Sequence, residues 1–203
     1  MTSLRHNDGG AEAAREPRDA YLDAARDCIL DVGWRRTTLT EVARRAGVSR
    51  MTIYRTWADM PTLLGDLMTR EWAGAIDAQV ASDRGKPAIE RITNGIVGTV
   101  QALRVNELFV RIVEVDPELI LPYLFSRRGR SQELILAVTT EAIREGQARG
   151  EIRTDTAVGI ARALLLTAQG FVLSAHTMVD DAVSLEELDA ELELIVSRML
   201  ERP

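Results

Sequence analysis

The chain has 203 residues, 46% hydrophobic but only 4% aromatic, enough apolar material for one or two aliphatic cores. Ala, Leu, Glu and Arg dominate, all good helix formers, so an all-α protein is expected. The net charge of −6 argues by itself against a nucleic-acid partner, and the single cysteine, Cys28, excludes an intramolecular disulfide or a cysteine-cluster metal site.

The first ten residues, MTSLRHNDGG, lack the apolar core of a signal peptide. No run approaches 18 uninterrupted apolar residues, so a cytoplasmic protein without a membrane partner is expected. Residues 1–16 are polar and read as a disordered arm. A first helix is predicted from Pro17 to Val32, with Tyr21, Ala25, Cys28, Ile29 and Val32 on one apolar face and Gly33 as its stop. Cys28 is then a small core residue.

Thr38-Leu39-Thr40-Glu41 has the pattern of a capping box and opens a short helix ending at Ala46. Ser49 caps the next, which runs through Arg55 to Trp57. Two short helices joined by Gly47-Val48-Ser49 make a helix-turn-helix arrangement. Here the charge pattern reverses: residues 33–57 hold six arginines against Glu41 alone, a local +5 that leaves −11 for the rest of the chain. A basic module on an acidic body is a phosphate-binding footprint.

Leu39, Val42, Ala43, Ala46, Val48, Ile53 and Trp57 form the apolar side of this pair. Arg44, Arg45, Arg50, Met51, Thr52, Tyr54, Arg55 and Thr56 face outward. In a major groove, Thr and Met methyls meet thymine methyls and Arg pairs with guanine. Ser49, Thr38 and Thr40, at helix N-termini, suit phosphate oxygens. An ordinary helical hairpin with a charged face has the same spacing, so spacing alone leaves both readings open.

Further on, Asp59 caps a longer helix carrying Leu64, Leu67, Met68, Trp72 and Ile76. Asp83 to Lys86 reads as a loop. Pro87 starts a helix with Ile89, Ile92, Ile96, Val100 and Leu103 inward. Asn106 caps another through Val115, and a short segment from Asp116 ends near Phe125. Helices are then predicted over about Ser131–Arg149, Asp155 or Thr156 to Met178, and from a second capping box at Ser184 to Leu200. No strand is predicted.

Val158, Ala161, Leu165, Ala168, Val172 and Ala175 repeat at spacings of three and four, as do Leu188, Leu192, Ile195 and Met199. Such seams suit close helix packing, either across a dimer or within one subunit. The expected dimer interface is therefore Ala161, Leu165, Ala168 and Val172 with Leu188, Leu192, Ile195 and Met199. A ligand pocket is expected from the aromatic residues Trp72, Phe109, Tyr123 and Phe125, beside Met68 and the polar Asn94, Gln169 and His176.

The string at residues 20–57, AYLDAARDCILDVGWRRTTLTEVARRAGVSRMTIYRTW, resembles the DNA-binding domain of the TetR family of bacterial regulators. The matching features are Ala24-Ala25, Gly33-Trp34, Thr37-Thr38, Glu41-Val42-Ala43, Ala46-Gly47-Val48-Ser49, and Thr52-Ile53-Tyr54 with Trp57. The resemblance implies a helix-turn-helix domain over 17–58 and a helical ligand-binding and dimerisation domain over 59–203. It also implies a homodimer on a palindromic operator, with residues 50–56 in the major groove and Tyr54 on the phosphate backbone.

Two departures stand out. The family usually has Phe where Trp57 stands, and often a phosphate-binding Lys where Met60 stands, leaving that contact to Arg35, Arg36 or Arg55. No HExxH, GxGxxG, P-loop or CxxC motif is present, so no enzyme, cofactor or metal is expected. The function expected is a repressor released from its operator by a small, largely apolar effector. A ligand-independent co-regulatory or architectural DNA-binding protein is the alternative.

Overall fold

The computed structural model describes residues 17–82 and 85–202. The expected N-terminal arm lies outside them, as do the side chain of Ile76 and two residues of the Asp83–Lys86 loop. Ten α-helices are present among the described residues, with no strand. The first four are α1 (Pro17–Val32), α2 (Leu39–Arg45), α3 (Arg50–Thr56) and α4 (Met60–Ser82). Then come α5 (Ala88–Val105), α6 (Glu107–Val115), α7 (Leu121–Phe125) and α8 (Arg130–Ala148). The chain closes with α9 (Ala157–Ser174) and α10 (Leu185–Leu200). Single 3₁₀ turns at Trp34–Arg36, Pro117–Leu119 and Ala175–Met178 link neighbours.

Local chemistry sets most of the boundaries. Ser49 accepts the Thr52 amide at 3.2 Å, Asp59 the Thr62 amide at 2.8 Å, and Asn106 the Phe109 amide at 3.0 Å. Ser184 and Glu187 close a reciprocal capping box. At Thr38 only half of the expected box forms. Its hydroxyl accepts the Glu41 amide at 3.2 Å, but the Glu41 carboxylate turns to Arg44 and Arg45 instead of the cap amide. Two nearby arginines outbid one backbone N–H, since charge-assisted bonds are the stronger.

Two cores result. The first joins Ala25, Cys28 and Ile29 of α1, Val42 of α2, Ile53 and Trp57 at α3, Leu63 and Leu67 of α4, and Leu108 and Ile112 of α6. The expected boundary at residue 58 therefore falls within a continuous core. The second joins α5, α8, α9 and α10 through Val100, Ile143, Ile160, Leu164, Leu192 and Val196.

Candidate nucleic-acid interface and ligand cavity

The turn between α2 and α3 works because Gly47 takes φ +67°, a left-handed conformation that a residue with a Cβ resists. Behind α3, Ile53 and Trp57 are buried, which fixes the helix on the core and turns its other face outward. Met51 is 69% exposed and Tyr54 48% exposed, with Arg50, Arg55 and Thr56 beside them. Thr52 is half-buried, its hydroxyl 2.9 Å from that of Ser49.

The arginines divide into two groups. Arg44 and Arg45 are held by Glu41, and Arg45 also by Asp31 at 2.5 Å. The Arg44 hydrogen bonds, helped by Arg45, pull the Glu41 carboxyl down to about 2. Arg35 donates to Glu118 at 2.7 and 2.8 Å and lies 3.6 Å from Asp116. Buried Asp116 also accepts the Trp34 amide at 3.1 Å, so this contact ties the turn after α1 to the C-terminal end of α6. Arg36, Arg50 and Arg55 make no ion pair among the described residues. The local +5 is thus partly neutralised by carboxylates, two of which, Asp116 and Glu118, lie more than eighty residues from Arg35.

A second junction centres on Asp66 of α4, which sequence reasoning missed. One carboxylate oxygen accepts the Trp57 indole N–H at 2.6 Å and also binds Arg18; the other binds Arg130 of α8 at 2.7 Å. Arg18 stacks over the Trp57 ring, 5.7 Å from its centroid. No local pattern marks Asp66, because all three partners come from other elements.

A cavity of about 520 Å³ lies between the helices of the second domain. Leu64, Gly65, Met68 and Trp72 of α4 wall one side. Ile92, Gly95, Ile96 and Thr99 of α5 and Leu164, Leu165, Ala168 and Gln169 of α9 wall others. Phe109, Ile112 and Tyr123 complete it with the inner face of α8. Of the expected pocket residues, Met68, Trp72, Phe109, Tyr123 and Gln169 are brought together here.

Three expected pocket residues do not line it. Phe125 is 81% exposed at the end of α7, where Tyr123 and Leu124 take the inward side. His176 is exposed on the 3₁₀ turn after α9. Asn94 falls off the α5 face that Arg91, Gly95 and Ile96 present. Sequence reasoning missed Gly65 and Gly95, whose visible signal was a glycine inside each helical stretch.

The expected dimer residues are also sorted. Ala161 and Leu192 are buried within the single chain, 1% and 0% exposed, because they pack between α9, α10 and α5. Leu165, Ala168 and Val172 line the cavity, and Met199 packs on the same core. Leu188 is half-buried, and Ile195 faces outward at 39% exposure. The outer apolar side is instead Val158 and Leu166 on α9 with Leu194 and Ile195 on α10.

A buried-backed helix-turn-helix joined to a hollow helical domain defines a DNA-binding regulator of two-domain type. A family model for bacterial regulatory proteins of the tetR family matches residues 22–67. An uncharacterised HTH-type transcriptional regulator of Mycobacterium tuberculosis is 33% identical over 171 residues, covering 84% of this chain and 87% of the relative. The chain belongs to the TetR family of transcriptional regulators.

Solved structures agree in fold. The Rhodococcus erythropolis transcriptional repressor QsdR aligns at TM-score 0.66 and 16% identity, over 92% of this chain and 96% of that one. The Bacillus subtilis regulator FadR in complex with stearoyl-CoA aligns at TM-score 0.61 and 16% identity, over 90% and 99%.

Proposed function

We propose that the protein is a repressor that binds a palindromic operator as a homodimer and leaves it when a small, largely apolar molecule fills the cavity. The observation that carries this reading is the position of Leu64. It is buried in the core behind the recognition helix, and it also lines the cavity. A ligand pressing on that stretch of α4 acts on the same rigid element that seats Ile53 and Trp57. The change required is small: a ligand preferring one α4 position by about 1–3 kcal/mol gives a useful switch.

At the operator, Arg50, Met51, Tyr54 and Arg55 are the groups offered to DNA, with Thr38 and Ser49 at helix N-termini for phosphates and half-buried Thr40 and Thr52 behind them. Arg35, Arg44 and Arg45 reach phosphate only by exchanging their carboxylate partners. The dimer face assigned is Leu166, Leu194 and Ile195 with Val158. The stretch Ala157–Met178 is long and apolar enough, by length and composition, to cross a membrane, and only a minority of its most apolar 18 residues is buried inside the chain. In this fold that apolarity is accounted for by a core side, a cavity side and an outer side that a second copy covers.

The ligand-independent alternative calls for a side-chain-filled second domain, and the open cavity counts against it. The test is selection of bound sequences from random DNA with the purified protein, followed by a screen for compounds that release the enriched site. A two-fold symmetric site and at least one releasing compound are expected. An absence of any preferred sequence overturns the operator reading.

A further inference from the structure

Two glycines of the cavity wall have no packing reason to be glycine. Gly65 lies inside α4 and Gly95 inside α5, both in right-handed helical conformation. A mid-helix glycine forgoes helix stability relative to alanine, so a sequence keeps one where a Cβ has no room or where the empty space is needed. Gly146 of α8 is the first kind: a Cβ there meets Ile152 Cδ1 at 2.5 Å and the Ala88 Cβ at 2.9 Å. A Cβ at Gly65, Gly95 or Gly170 of α9 meets nothing within 4 Å, and of these three Gly65 and Gly95 line the cavity. Each carbonyl also accepts the hydroxyl of the threonine four residues on, Thr69 at 2.7 Å and Thr99 at 2.6 Å.

The cavity is long for its volume. Its α5 wall runs from Arg91 to Leu103 and its α9 wall from Ala161 to Leu173. Each spans twelve helical rises, so the length is about 18 Å at ~1.5 Å per residue. A mostly apolar channel of that length fits an extended hydrocarbon chain. Of the four charged lining residues, Arg130, Glu141 and Glu145 are exposed and Arg91 is half-buried, while the rest of the lining is mostly apolar, with the buried Trp72 indole N–H unpartnered among the described residues.

We infer that the cavity holds a single straight hydrocarbon chain and that Gly95, with Gly65, determines its specificity by keeping the channel open where a side chain would plug it. This rests on the effector-released reading for its regulatory meaning. Chain binding itself is measured without DNA, so the two can fail separately.

The experiment uses the full chain with straight alkanoates of 6 to 18 carbons, below their micelle concentrations, and adamantane-1-carboxylate as a compact control. Binding is read by displacement of the fluorescent probe 1-anilinonaphthalene-8-sulfonate. In the natural protein, affinity should climb with chain length and decanoate should bind at least tenfold tighter than the adamantane acid. Gly95→Leu should weaken hexadecanoate at least tenfold while changing octanoate less than threefold.

Gly95→Ala and Gly65→Ala guard against a misfolded leucine variant. Both should raise the melting temperature, since nothing is displaced and helix propensity improves, and Gly95→Ala should shift the chain-length profile in the same direction. Equal binding of decanoate and the adamantane acid, or an unchanged profile in both Gly95 variants, overturns the inference. Chains that bind as described yet never release the operator leave the channel assignment standing and overturn the effector reading. A different compound releasing the operator while no alkanoate binds overturns the channel assignment alone.

Discussion

Removing the carboxylate of Asp66 should destabilise the protein through one bond. The Trp57 indole nitrogen donates to it at 2.6 Å, and Trp57 is only 1% exposed. Without an acceptor, a buried donor is left unsatisfied, at a cost of about 1–3 kcal/mol. The two ion pairs lost at the same time involve Arg18 and Arg130, whose side chains are 52% and 69% exposed. Solvent-exposed partners of this kind contribute about 0–1 kcal/mol each.

Asp66→Ala is therefore expected to cost about 1–3 kcal/mol, Arg130→Gln less than about 1 kcal/mol, and Asp66→Asn an intermediate amount, since an amide oxygen still accepts from the indole. Urea unfolding at one fixed protein concentration measures all three, the fixed concentration being needed because dimerisation adds to apparent stability. A double-mutant cycle isolates the bond: in a Trp57→Phe background, which has no donor, Asp66→Ala should cost only the two ion pairs, about 0–1 kcal/mol each. Trp57 is also the C-cap of α3, so operator affinity should drop in parallel. An Asp66→Ala cost that is the same with Trp57 and with Phe at position 57 would refute the reasoning.

Three further outcomes follow from the same geometry. Tyr54→Ala should weaken binding to every DNA sequence, whereas Arg55→Ala should alter sequence preference by about 1–3 kcal/mol at the positions it reads, both seen by repeating the sequence selection. Leu166→Arg with Leu194→Arg should yield folded monomers in sedimentation, because both sites are exposed in the single chain. Leu192→Arg should instead unfold it, since Leu192 is fully buried. The depressed carboxyl of Glu41 contributes stability above its ordinary value of 4.5 and loses it as pH falls toward about 2. Acid unfolding of Glu41→Gln should therefore lack that component between about pH 4.5 and 2, with no change from pH 7 to 5, and an identical acid limb in both proteins would contradict the Arg44 pairing.

The sequence by itself determined what local chemistry determines. Ser49, Asp59, Asn106 and Ser184 cap their helices because an oxygen three residues before an amide needs no distant partner. Residues 20–57 were legible as a DNA-reading module because many constraints fall in register along one short string. Met51, Tyr54 and Arg55 faced outward as their spacing from buried Ile53 and Trp57 required.

Only the tertiary structure decided matters of facing and partnership. Periodicity marked α9 and α10 as apolar, but it could not say that Ala161 and Leu192 face their own subunit while Leu166 and Leu194 face out. An aromatic or polar residue in an apolar stretch carries no direction either, which is why Phe125 and His176 are exposed, half-buried Asn94 stays off the cavity wall, and Tyr123 and Gln169 line the cavity. Arg35 waits on Glu118, and Trp57 on Asp66. Such pairings join charges and donors far apart in sequence, and a cavity is bounded by helices whose relative placement no single stretch of chain encodes.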